Sequence, residues 1–185
     1  MTDDAAAVAP QPVDAPDAGP RPRWFVVGLA IATVIGLAVR LVFWARTKES
    51  DDPSGFLVNY DPIFYHRQAL AVAHGYGFLA PYMSGVHPSA GHPPLLVVVL
   101  AVASKLGLSS FGAHRFVTVL IGALVIPVVG LVGARVAGWR VGLVAAGLAA
   151  IYPNLWANDG LVMPEGLYAL LVAAALWLAI GAWRR

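Results

Sequence analysis

Cysteine is absent from the 185 residues. A disulfide scaffold is therefore excluded, and with it any thiolate metal or redox centre. Charge is scarce too: Asp, Glu, Lys and Arg make up 12% of the chain, about half the ~25% usual in soluble domains. The basic residues are scattered and the net charge is only +2, so no patch of the kind that grips nucleic acid is present. What fills the chain instead is apolar, 59% of residues at a mean hydropathy of +0.72. That fraction excludes disorder of the chain as a whole. The composition is that of an all-α integral membrane protein.

Residues 1–23 differ from the rest. They are rich in Ala and Pro, carry Asp3, Asp4, Asp14 and Asp17, and read as a disordered cytoplasmic tail. Residues 24–45 are too long for a signal-peptide core and end without a clear small-residue cleavage site, so they read as a retained anchor helix. Trp24 and Trp44 sit at its two ends, as interfacial aromatics do. Arg40, one turn inside the far end, either snorkels to the headgroups or faces the protein interior. Three further spans are expected at 116–134, 141–157 and 166–183. The first holds 19 residues, ~28 Å of helix, and Pro127 is expected to kink it. Gly122, Gly130, Gly133, Gly142 and Gly147 suit close helix contacts.

Leu95–Ser104 is apolar but short, opened by Pro93-Pro94 and closed by Lys105 and Gly107. A run of this length is more often re-entrant or interfacial than spanning. If it does not cross, the Arg21/Arg23, Arg135/Arg140 and Arg184/Arg185 clusters all fall on one face, the cytoplasm. Four spans follow, with both ends cytoplasmic, a long external loop at 46–115 and a short one after residue 151. The protein is expected in the inner or plasma membrane.

The first loop carries the chemistry. Asp61-Pro62 is a good helix start, with Asp as N-cap and Pro at the first helical position. The helix from Pro62 to His74 would lay Ile63, Phe64, Leu70 and Ala71 on the membrane surface. Asp61 is as readily a cap as a catalytic carboxylate, and the roles are compatible. His92, before Pro93-Pro94, reads locally as a loop residue at a helix start. Five histidines (66, 74, 87, 92 and 114) occupy this loop at spacings that fit no compact metal motif. No metal site or cofactor is expected, although a divalent cation is compatible with the acids. In the second loop Asn158-Asp159-Gly160 reads as a turn, and Pro164-Glu165 as a helix start with an acid favouring the dipole. Glu165 is also the last charge before a span, which makes it a site candidate.

The two loops together resemble the polyprenyl-phosphate-sugar glycosyltransferases of the GT-C superfamily, in the bacterial branch related to protein mannosyltransferases and the lipid A aminoarabinose transferase. The resemblance rests on Asp61-x3-Tyr65-His66-x2-Ala69-x2-Val72-x2-Gly75-x-Gly77-Phe78, then His92-Pro93-Pro94-Leu95. It continues through Arg115, Gly133-Ala134-Arg135, Tyr152-Pro153 and Met163-Pro164-Glu165-x2-Tyr168. It implies that residues 24–185 are the N-terminal part of a GT-C module, and that Asp61 is the base or acceptor-orienting carboxylate of an inverting displacement at a sugar's anomeric carbon. Glu165 would be the second catalytic acid. Tyr65, His66, His92 and Arg115 would bind substrate, His92 standing where relatives contact the donor phosphate. The implied partners are a polyprenyl-phosphate-linked sugar, the bilayer and an extracytoplasmic glycan, lipid or protein acceptor. Asp61-Pro62 replaces the adjacent Asp-Glu of the protein mannosyltransferases, so a protein acceptor gains nothing from that motif. The superfamily has more than four spans, which implies either further helices beyond Arg185 or a second membrane chain. Two other readings compete: a transporter or channel subunit, and a non-catalytic assembly protein. The first is disfavoured because the ionisable residues gather in loops rather than at mid-bilayer.

Overall fold

The computed structural model describes residues 20–47, 60–81 and 87–183, and every structural statement below concerns these. Residues 1–19, the bulk of the tail read as disordered, lie outside them. Seven helices form: α1 (Arg23–Arg46), α2 (Tyr60–Ala73), α3 (Pro94–Lys105), α4 (Phe111–Ala137), α5 (Trp139–Ile151), α6 (Pro153–Asp159) and α7 (Glu165–Trp183). The protein is an all-helical, multi-pass membrane protein. Helices α1, α4 and α7 are long and apolar enough to span, and α5 with α6 makes a fourth span if the bent pair counts as one.

That bend corrects the continuous span expected at 141–157. The helix stops at Ile151, and α6 leaves at 52°. Pro153 has no N–H to offer, and it pushes Tyr152 to extended backbone at φ −66° and ψ 116°. Pro127, by contrast, sits inside α4 without ending it. Helix α4 also starts earlier than the expected span. Ser110 caps it, its hydroxyl accepting from the Ala113 N–H at 3.1 Å, so the helix takes in His114 and Arg115. Its 27 residues reach ~40 Å against a hydrocarbon core of ~30 Å. Gly138, at φ +90°, turns the chain from α4 into α5 with a single residue, a conformation that costs glycine nothing.

Helices α4 and α5 then pack at backbone distance, since a Cβ on Gly142 would overlap the Gly130 carbonyl. Gly147 makes no such contact, contrary to expectation. The ends of the bundle sort cleanly. Phe25 of α1 meets Trp139 of α5 with ring centroids 4.8 Å apart, and the Arg135 guanidinium lies 3.9 Å from the Trp177 ring centre. At the other end Phe43 packs on Trp156 at 5.2 Å, and the Trp44 indole N–H donates to the Gly112 carbonyl at 3.1 Å. Arg135 and Arg140 thus lie at one end, with the start of α4 and the turn into α7 at the other.

Helices α2 and α3, of 14 and 12 residues, are too short to cross. They pair with each other at this second end. The packed face of α2 is Phe64, Tyr65, Gln68 and Ala69, turned about one residue from the face expected to meet the membrane. Tyr65 and Ala69 join Leu96, Val97 and Leu100 of α3, Phe111 of α4 and Val162 in one apolar cluster. The native lack of cysteine makes the layout easy to check. Single cysteines replacing Tyr76 or Glu165, both exposed, are expected to react with an impermeant maleimide from one side of a sealed vesicle. A cysteine replacing exposed Ala137 should react only from the other side. Labelling of all three from one side would overturn the arrangement.

Candidate functional site

All six site residues read from the sequence lie at that second end, and four of them, Asp61, Tyr65, His92 and Glu165, gather together. Asp61 lies in the first turn of α2, which begins two residues earlier than the Asp-Pro signal suggested, so Asp61 is inside the helix rather than its cap. Its carboxylate Oδ1 stands 3.1 Å from His92 Nε2, with Asp61 half-exposed and His92 less so. The His92 ring lies nearly parallel to Phe64, centroids 4.0 Å apart, and edge-on to Tyr65 at 5.2 Å. Tyr65 is fully buried. Burial foremost, and then the charges of Asp61 and Glu165, push its phenol up to about 12. It stays a neutral hydroxyl at any physiological pH. Both carboxylates therefore act on one side chain although more than a hundred residues separate them.

His92 is delivered by a braced strap. After α2 the chain forms one antiparallel bridge, Leu79 to Pro88, and the Gln68 side-chain amide donates to the carbonyls of Leu79 and Ser89 at 3.0 and 3.3 Å. Gln68 is buried, so those two bonds satisfy an amide that would otherwise be costly. Two hollows flank the strap's end. One, of about 350 Å³, runs between α3 and α7 along Pro93, Leu95, Leu96, Leu167 and Tyr168, with Glu165 on its wall. The other, of about 450 Å³, is lined by Phe78, Pro88, Ser89 and His92. Val162, three residues before Glu165, is buried at φ +54°, a strained conformation for a β-branched residue that costs ~1–3 kcal/mol.

His66 and Arg115 go elsewhere. His66 Nδ1 meets His114 Nδ1 at 3.0 Å, and His114 Nε2 meets Ser104 Oγ at 2.8 Å. The Ser104 hydroxyl gives its proton to the Leu100 carbonyl at 3.0 Å, so it accepts from His114 Nε2–H. His114 Nδ1 then accepts from His66 Nδ1–H, which leaves His66 Nε2 as an acceptor. Burial, and secondarily the charge of Arg67, lower His66 to about 4. Its unfolded value near 6.5 is higher, so acid favours the unfolded chain between about pH 6.5 and 4. Thermal stability in detergent is expected to fall as pH drops through that window and to level off below it. His66→Gln should flatten the fall, and an unchanged slope in that variant would remove His66 as its source. Arg115 is buried and committed to the protein: Nε donates to the Gly160 carbonyl at 2.6 Å, Nη1 to the Thr47 carbonyl at 3.0 Å, and Nη2 to the Thr47 hydroxyl. It ties the end of α1 to the second loop.

One pair was missed in the sequence. Asp159, read as a turn residue, closes α6 and is buried, with Oδ2 accepting from Arg40 Nε at 2.7 Å. Arg40 also reaches the carbonyls of Gly36 and Ala150, which settles its direction as inward. Adjacent Asn-Asp-Gly made a turn the natural reading; the partner 119 residues away left no local signal. Among the described residues no three His, Asp or Glu side chains converge to hold a metal ion. Comparison with known protein families, with curated proteins and with solved structures finds no match.

Proposed function

We propose that the chain belongs to a membrane glycosyltransferase that takes its sugar from a polyprenyl-phosphate donor. The observation that carries this reading is the grouping of Asp61, His92 and Glu165 around buried Tyr65 at one end of the bundle, beside an apolar groove between α3 and α7. An acceptor hydroxyl attacks the anomeric carbon with inversion. The bond from that carbon to the phosphate oxygen breaks, the hydroxyl proton passes to Asp61, and the polyprenyl phosphate leaves with the electron pair. Alignment and a positioned base are the protein's main contributions to such a step. The outward orientation of the site is supported by Arg135 and Arg140 at the opposite end, through the preference of basic residues for the cytoplasm.

Native membranes containing the protein, supplied with labelled polyprenyl-phosphate sugars and cell-envelope acceptors, are expected to transfer more label than membranes from cells lacking it. The absence of any chain-dependent transfer across a panel of donors would overturn the proposal. A transporter is the second reading, favoured by one specific observation: a broken span whose end carries buried Asp159 against Arg40. Interrupted helices with intramembrane charges are typical of transport sites. Solute flux that depends on Asp159, without sugar transfer, would favour it.

A further inference from the structure

His92 stands where the family resemblance expects a contact to the donor phosphate, yet one ring nitrogen is already engaged and the other is enclosed. Nε2 faces Asp61 Oδ1 at 3.1 Å. Nδ1 is buried and has no hydrogen-bond partner among the described residues. The ring is clamped by Phe64 and Tyr65, and with Asp61 these three occupy positions i, i+3 and i+4 of α2, which is one helix face. From the other side the strap pinned by Gln68 fixes the backbone that delivers it.

The protonation pattern follows from the partners. An ionised carboxylate only accepts, so the hydrogen in the bond lies on Nε2. The Nε2–H is spent on Asp61, and Nδ1, enclosed and without a polar partner among the described residues, is not placed to meet a phosphate. We infer that His92 is a positioning residue for Asp61: it holds Oδ1, fixes the carboxylate's rotamer, and leaves Oδ2 as the oxygen that meets an acceptor hydroxyl. The catalytic part rests on the transferase reading above; the tautomer does not. The same logic operates wherever one group orients the base that does the chemistry.

Two arms test it. In kinetics, His92→Phe keeps an aromatic ring on Phe64 but removes the N–H. It is expected to lower kcat by at least ~10-fold while leaving the donor KM within about twofold, and His92→Gln, whose amide can still reach Asp61, should recover much of the loss. Combined with Asp61→Asn, His92→Phe should cost little more than Asp61→Asn alone, because both act through one carboxylate. A raised donor KM with kcat preserved at saturation would overturn the inference and return His92 to the phosphate. In spectroscopy, protein labelled with ¹⁵N-histidine in detergent should show one ring, assigned by its loss in His92→Gln, as the Nε2–H tautomer. Asp61→Ala should release that ring to a tautomer mixture. An unchanged signal in Asp61→Ala would overturn the inference even if sugar transfer proves not to be the activity.

Discussion

Asp61→Asn is expected to insert and fold as the parent does and to transfer sugar at least ~10²-fold more slowly. The substitution is almost isosteric. Its amide oxygen can still accept from His92 Nε2–H, so the contact across 3.1 Å survives. What disappears is the charge and the capacity to take a proton. Asp61 also lies in the first turn of α2, where an acid favours the helix dipole, but that contribution is only ~0.3–1 kcal/mol. A purely helical role therefore predicts a small loss of stability and unaltered transfer. The catalytic role predicts the reverse ordering of effects. Measuring insertion by protease protection and transfer in the same membranes separates them, and parental rates in Asp61→Asn would reduce Asp61 to a helix-stabilising acid.

Much of this architecture was legible because membrane helices announce themselves locally. Long apolar runs marked α1, α4 and α7 to within a few positions, and Leu95–Ser104 was too short to cross, as α3 is. The break at Tyr152-Pro153 was equally local, a proline in a helical run, and was overridden by the demand for one continuous apolar segment. The face of α2 that packs against the protein was hidden for another reason. Its pattern is weakly amphipathic, and Gln68, polar by type, is buried because two backbone carbonyls of a distant strap meet it. Arg115 had the character of an anion ligand, yet it serves carbonyls of Thr47 and Gly160, acceptors that any residue type provides and no motif records. Asp61, Tyr65, His92 and Glu165 were each visible as polar or aromatic residues spent on loops. Their mutual approach depends on how α3 folds back on α2 and on where α7 starts, which is tertiary information.

The Arg40–Asp159 pair is the extreme case of that dependence, and it carries the largest expected effect on stability. The Asp159 carboxylate sits where a Cβ on either Gly122 or Gly166 would overlap it, so it is wedged between α4 and the first turn of α7 while bound to α1. Removing one partner leaves the other charge buried and uncompensated, a loss of ~3–5 kcal/mol in comparable pairs. Asp159→Leu and Arg40→Met are each expected to lose about that much. The double variant, which buries no charge and keeps similar volumes, should recover most of it, because the desolvation cost of the two ions vanishes with them. Additive losses in the double variant would mean that packing at the two sites, rather than their charges, holds the helices. The site should feel the same change. Asp159 ends α6, Gly160 accepts from Arg115, and Glu165 follows within one turn of strained Val162. Single variants are thus expected to loosen Glu165 before they unfold the bundle, which faster maleimide labelling of a cysteine replacing Leu167, half-covered against the α2–α3 cluster, would register.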